Sequence, residues 1–311
     1  MNHFYDNTEG IRDEFAAAWG AVAERFAGRS EVAGYDIRNE PEVSRPAEEL
    51  TPLYEVMLTD SIEAIRTAEE DADFDHVVII EPAMPAADFS RGIVNPDPAR
   101  LGVDPANIVF GPHNYAESIT QGIPIEGMSA ALVNVADDAG VPVWIGEYGF
   151  WNREPATLES IGRYAAEEDA RVIGGTWWQW RQGCGDPHSV GWDTPAEGQV
   201  VHLNVVGCPG DVDLDPNEEF LSVLGRAFPR FSPGRISELS SDPATGRFVV
   251  EAGGAVVGEV LVVWTPTGAD THEVAGRGVE TIEQHEVPGG RIVTATVTEP
   301  EYDLMITPLA G

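Results

Sequence analysis

Lysine is missing altogether: all 18 basic residues of this 311-residue chain are arginine, against 53 acidic residues, for a formal net charge of -35. A surface this acidic repels phosphate backbones and anionic membranes, which excludes nucleic acid as a partner. Two origins for the imbalance stay open, a GC-rich genome with an acidic bias or adaptation to high salt. Cysteine is scarce as well. Cys184 and Cys208 are too few for a disulfide scaffold and lack the spacing of a zinc site. They form either a bridge worth about 3 kcal/mol in the chain-entropy model or two buried thiols. A bridge would argue for an oxidising compartment. No run approaches the roughly 18 apolar residues that span a bilayer. The first ten residues lack the basic and apolar regions of a signal peptide. No glycine-rich phosphate loop follows an apolar run and no Gly-x-Ser-x-Gly elbow occurs, which argues against nucleotide binding and serine hydrolysis.

What is present is an ordinary globular chain, 42% hydrophobic, in which short apolar runs recur at even intervals. Taken at Glu40, Glu81, His113, Glu147 and Trp180, their ends lie 41, 32, 34 and 33 residues apart, the period of a strand, a loop, a helix and a loop. Helical stripes fill the intervals. Ile11, Phe15, Trp19, Val22 and Phe26 form one, closed by Gly28 where a C-terminal cap belongs. Leu53, Tyr54, Leu58, Ile62 and Ile65 form a second; Met128, Leu132 and Val135 a third; Leu158, Ile161 and Tyr164 a fourth. Strands apolar on both faces that alternate with helices imply a parallel sheet, and polar or aromatic residues at each strand's carboxyl end favour a (β/α)8 TIM barrel. A last helix is expected at Phe220, Leu221 and Leu224, then a linker at 228–234. The remainder turns to short strands at Phe248, Val260–Trp264, Arg291–Val297 and Asp303–Thr307, separated by turn signals. The expected domains are therefore a barrel region over residues 1–230 and a small antiparallel β-sandwich over 235–311.

Two carboxylates stand out. Glu40 closes Gly34-Tyr-Asp-Ile-Arg-Asn-Glu-Pro41, and Glu147 lies 107 residues later in Val143-Trp-Ile-Gly-Glu-Tyr-Gly149. A glycosidic bond is cleaved by two carboxyl groups on opposite sides of the anomeric centre, one donating a proton to the leaving oxygen and the other attacking or activating water. One Glu at a strand end is more often a solvated loop residue. Two, following strands three apart, fit that chemistry. Asn39 stands where its amide can bond a sugar 2-hydroxyl, and Pro41 ends the run by removing a donor. His113 has no second His at ligand spacing, so no metal is implied. Trp178 and Trp180 alternate onto one strand face, Trp177 and Gln179 onto the other. Glu81 is read evenly as a substrate contact or a loop cap, and Asp186 and His188 as ordering the loop after the last strand.

Asn39-Glu40-Pro41, His113-Asn-Tyr115, Gly146-Glu147-Tyr-Gly149 and the run Trp177 to Trp180 resemble glycoside hydrolase family 5. That resemblance implies Glu40 as acid/base, Glu147 as nucleophile, and Asn39, His113, Tyr115 and Trp178 as substrate-binding residues, Asn39 as the family's asparagine, His113 and Tyr115 orienting the carboxylates and Trp178 stacking under the sugar, with no cofactor. His3-Phe-Tyr-Asp-Asn7, Gly34-Tyr-Asp36, Glu81-Pro82 and Trp180-Arg-Gln-Gly-Cys-Gly-Asp-Pro-His188 are similar to the endoglycoceramidase-like branch, as is an appended β-sandwich. The branch implies a retaining enzyme that parts a glycan from ceramide or another apolar aglycone, with transient contact at a membrane surface and secretion of the full-length protein. Alternatives are an endo-β-glucanase of the same family, or a non-catalytic module that binds glycan or lipid.

Against a family barrel, one helix precedes the Asn-Glu-Pro run where three further strands belong. The expectation is a partial barrel, about strands four to eight, with three explanations open: a fragment of a longer secreted enzyme, one half of a split enzyme whose N-terminal half is another chain, or an inactive module whose aromatic cleft only binds glycan.

Overall fold

A computed structural model describes residues 2–84, 93–118, 120, 122–150, 155–178, 181–182, 204–207, 212–213, 218–268 and 270–309. The expectations for Trp180, Gln179, Cys184, Asp186, His188 and Cys208 lie outside the described residues. The chain divides into two compact units, Met1–Asn114 with Gly127–Tyr148, and Tyr115–Glu126 with Gly149–Gly311.

The first unit opens with a short helix, α1 (Asn2–Tyr5), and then α2 (Ile11–Phe26), β1 (Gly34–Asp36), α3 (Ala47–Glu69), β2 (Val77–Ile80) and β3 (Ile108–Phe110). Helix α4 (Ile125–Ala139) leads to β4 (Trp144–Tyr148). The strands are parallel and adjacent in chain order. Tyr35 sits opposite Val78, Ile80 opposite Phe110, and bridges at Phe110–Val143 and His113–Glu147 join β3 to β4. The alternation of strand and helix expected from the period is therefore present except between β2 and β3, where the described residues carry only a single 3-10 turn at Pro98–Arg100. The described strands are shorter than the apolar runs, and β1 stops at Asp36, so Glu40 stands on a loop. Gly34 opens β1 where a Cβ would run into the Val77 carbonyl of the neighbouring strand.

Helix α3 is an amphipathic element whose Tyr54, Leu58, Ile62 and Ile65 are all fully buried in the core. Each large aliphatic side chain so buried stabilises the fold by about 1.5–3 kcal/mol. Helix α2 departs from its expected stripe. Phe15 and Trp19 do pack on the core, but Ile11, Val22 and Phe26 are exposed, and the buried positions are Ala16 and Ala23. The contact face is Ala16, Trp19, Gly20 and Ala23, spaced at three and four residues. A Cβ on Gly20 would already touch Ala64 of α3, so the small side chains set how closely the two helices approach. Gly28 takes a left-handed φ of 69° just past the helix, as expected of a C-terminal cap. No described helix is long and apolar enough to cross a membrane.

In the second unit α5 (Pro155–Arg171) precedes β5 (Gly174–Trp177), and three short strands, β6 (Arg181–Gln182), β7 (Asn204–Gly207) and β8 (Val212–Asp213), form a small sheet. Helix α6 (Glu218–Leu224) falls where the last helix was expected, and Phe220 meets the Trp177 ring edge-on. Eight strands follow: β9 (Phe228–Phe231), β10 (Arg235–Asp242), β11 (Arg247–Gly253), β12 (Val260–Thr265), β13 (His272–Arg277), β14 (Val279–Val287), β15 (Gly290–Val297) and β16 (Tyr302–Pro308). They pair antiparallel as two sheets, β10-β11-β16-β13 and β14-β15-β12-β9, around one core of Phe248, Val250, Leu261, Val263, Val293, Leu304 and Ile306. The segment expected as a linker instead supplies β9, which pairs with β12 through Phe231 opposite Val262 and Phe228 opposite Trp264.

Arg226, just after α6, is buried and binds Asp169 and Glu168 of α5 at 2.8 and 3.0 Å. Asp169 in turn accepts the Ser241 amide of β10 at 2.9 Å.

Candidate active site

The parallel ladder runs on past the ends of the strands and so carries functional side chains into register. The Gly146 amide donates to the Pro112 carbonyl and the Asn114 amide to the Glu147 carbonyl, at 3.0 and 2.8 Å, which aligns His113 beside Glu147. Gly146 makes room for this. A Cβ there would lie 3.1 Å from the His113 ring, and one on Gly149 would run into the Trp178 carbonyl. Both glycines of the Gly-Glu-Tyr-Gly motif thus answer to close approaches of backbone or ring.

His113 is the hub. Its Nδ1 lies 2.9 Å from Glu40 Oε1 and 3.3 Å from Glu147 Oε2, while Nε2 faces Glu81 Oε1 at 3.5 Å. Carboxylates face both ring nitrogens, an arrangement matched by an imidazolium with a proton on each. Burial opposes that charge, but the hydrogen bond to Glu40 and the close carboxylates of Glu81 and Glu147 outweigh it, and the imidazole pKa is pushed up to about 10.

Among the described residues, Glu40, His113 and Glu147 are also the one group with ligand atoms close enough for a metal ion, all within 4.8 Å of one another. The direct contact between His113 and Glu40 puts a proton where an ion would sit, so the trio is suited to acid–base work. The two glutamates differ in setting. Glu147 sits in β4 with its side chain 15% exposed, whereas Glu40 is on the loop after β1, 59% exposed and with a left-handed φ of 43°.

Glu81, left undecided between two roles, is almost fully buried and lies directly after β2. Its Oε2 accepts the Glu40 backbone amide at 2.9 Å, and its own carbonyl accepts the hydroxyl of buried Tyr54 at 2.8 Å. The sequence reading missed Asp36. Its register partner on β2 is Ile79, two residues before Glu81, so alternation along the strand turns Asp36 and Glu81 to the same face. That register was the available signal. Asp36 Oδ1 is buried without a hydrogen bond. Burial, reinforced by the charges of Glu81 and Glu147 and opposed by His113, pushes this carboxyl up to about 7.

The sign of the resulting pH effect is fixed. An unfolded Asp releases its proton near pH ~4, whereas folded Asp36 holds it to about 7. Between those limits the folded state binds more protons, so stability falls as pH rises through that window. Asp36→Asn removes the cost of charging this site. It is expected to be more stable than wild type at pH 8, by on the order of 1–3 kcal/mol, and about equal at pH 4. Urea denaturation at the two pH values reads the difference; an equal gap at both would exclude the buried charge as its source.

Of the other sequence-singled residues, Asn39 is exposed beside Glu40, and Tyr115 and Trp178, both half-buried, belong to the second unit. The loop after Tyr115 is braced: the Ala116 carbonyl accepts the Tyr164 hydroxyl at 3.2 Å, and Arg163 grips Glu117 and Glu126.

The family model for cellulase (glycosyl hydrolase family 5) matches residues 1–183. The chain belongs to glycosyl hydrolase family 5. Its parallel strands and the helices between them within the matched residues are accordingly part of a (β/α)8 barrel, and the crystal structure of an endogalactoceramidase superposes with a TM-score of 0.81 at 29% identity, covering 99% of this chain and 64% of that one. Endo-glycoceramidase II from Rhodococcus sp. shares the fold, at a TM-score of 0.65 and 19% identity, over 99% of this chain and 67% of that one. By sequence, endoglycoceramidase I of Rhodococcus hoagii (strain 103S) is 25% identical over 204 residues, 58% of this chain and 39% of that protein. The family 5 chain thus spans well under half of that relative's length.

Proposed function

We propose that Glu147 and Glu40 are the nucleophile and the acid/base of a retaining β-glycosidase that cleaves the bond between a glycan and an apolar aglycone. The observation that carries this reading is the carboxylate separation, within 4.8 Å between ligand oxygens. Retaining enzymes hold the pair about 5–5.5 Å apart, and inverting ones leave roughly 6.5–9.5 Å for a water. The difference in exposure supports this division of roles. Glu147, held in a strand, attacks the anomeric carbon as the bond to the aglycone oxygen breaks and Glu40 gives that oxygen its proton. Water then enters from the open side where Glu40 stands. Glu40 takes a proton from it, the hydroxide oxygen bonds the anomeric carbon, and Glu147 departs as carboxylate.

The ceramide-linked substrate is drawn from the relatives, an endogalactoceramidase and an endoglycoceramidase I. On this reading a secreted protein meets glycolipid at a lipid surface. The family description, cellulase, favours a β-glucan as the second reading. Both make the same stereochemical prediction: proton NMR of early product shows the β-anomer before mutarotation. First-formed α-anomer would overturn the retaining assignment. Faster cleavage of fluorescent glycosphingolipid than of β-glucan favours the first substrate, and the reverse favours the second.

A further inference from the structure

We propose that Glu81 is a positioning residue of this site: it holds the Glu40 backbone in its left-handed turn, and its charge keeps a proton on each nitrogen of His113. What the site does rests on the retaining-glycosidase reading above; what Glu81 does to its neighbours rests on contacts alone.

A left-handed φ at a non-glycine residue costs on the order of 1–3 kcal/mol and persists where neighbours over-determine it. Here the amide of the strained residue is tied by Glu81 Oε2 at 2.9 Å. Glu81 is itself fixed at both ends, through the Tyr54 hydroxyl on its carbonyl and His113 Nε2 facing its Oε1 at 3.5 Å. With a side chain only 2% exposed, it sits too deep to be a solvated loop cap. One buried carboxylate therefore touches both the residue proposed to deliver the proton and the imidazole between the two catalytic carboxylates.

The charges around His113 fit this assignment. From the four strands and their loops it is faced by Asp36, Glu40, Glu81 and Glu147. Asp36 is largely protonated at pH values below about 7. Arg38, two residues before Glu40, holds its guanidinium over the Phe4 ring at 4.8 Å. Glu81 supplies the counter-charge on the Nε2 side, whereas the ion-pair contacts of Glu40 and Glu147 run to Nδ1.

Two near-isosteric changes separate the contacts. Glu81→Gln keeps an acceptor for the Glu40 amide and removes the charge, so the His113 titration midpoint, read by NMR, is expected to fall by at least about one unit, a tenfold change in proton affinity. The alkaline limb of the rate profile should move down with it while KM holds within about twofold. Glu81→Asp keeps the charge but is too short for the Glu40 amide. It should leave the midpoint within about half a unit and lower kcat by roughly 10-fold or more. A folded Glu81→Gln with an unmoved midpoint, or a folded Glu81→Asp with unchanged kcat, overturns the proposal. Should wild type cleave no glycoside, the function reading fails by itself, and the His113 midpoint in the two variants still decides the role of Glu81.

Discussion

Glu147→Gln is expected to lower kcat by roughly 10³-fold or more on every substrate, because in the proposed mechanism its carboxylate forms the bond to the anomeric carbon. Glu40→Gln should instead discriminate. Its proton matters in proportion to how poorly the aglycone leaves, so loss on a glycolipid, whose aglycone departs as an alkoxide, is expected at about 10²–10⁴-fold. An aryl glycoside with a nitrophenolate leaving group needs no proton for its first step and should lose far less there. The same variant should then accumulate glycosyl-enzyme, because deglycosylation still calls for a base. Steady-state rates on both substrates for both variants, with mass spectrometry of the intact protein, make the comparison. Equal losses for Glu40→Gln on the two substrates would remove it as the acid. A selective loss in Glu147→Gln would exchange the roles.

Arg226→Ala is expected to be the most destabilising single change in the second unit, at about 3–5 kcal/mol. The side chain is nearly buried, and its Nη2 donates to the Ala165 carbonyl as well as to Glu168 and Asp169. Removing it leaves two buried carboxylates without their cation, and Asp169 can no longer be held ready for the Ser241 amide of β10. The cost lies in the abandoned charges, not in the pair as such. Arg226→Leu combined with Glu168→Gln and Asp169→Asn should accordingly recover much of the loss. Thermal unfolding followed by tryptophan fluorescence would read both variants. A single variant within about 1 kcal/mol of wild type would show water reaching these carboxylates.

Much of this arrangement was legible in the residues. Glu40, His113 and Glu147 announced themselves because each follows an apolar run, and parallel strands end at one edge of a sheet. The sandwich shows where legibility stops. The strands visible in sequence were β11, β12, β15 and β16, which are the four central ones; β9, β10, β13 and β14 are the four edges. Central strands carry alternating buried apolar residues, as in Val260–Thr265. Edges such as Val279–Val287 carry exposed Glu280, Glu283 and Glu286, which suppress pairing with other chains and erase the apolar signal. In α2 the failure had another origin, since a face of Ala16, Gly20 and Ala23 packs by being small and so weighs little in a search for large apolar side chains. Asp36 was hidden because its chemistry depends on Glu81, a residue 45 positions away that only the β1–β2 register brings to its side.

The left-handed backbone at Glu40 sets the two demands on that position against each other. Glycine, or asparagine, would sit there with less strain than glutamate. Any redesign that scores sequences by how comfortably they fit the backbone is therefore drawn toward removing this carboxylate, and would report the loss of the proposed acid/base as an improvement. A stabilised version of the chain has to hold position 40 fixed and seek its gains elsewhere.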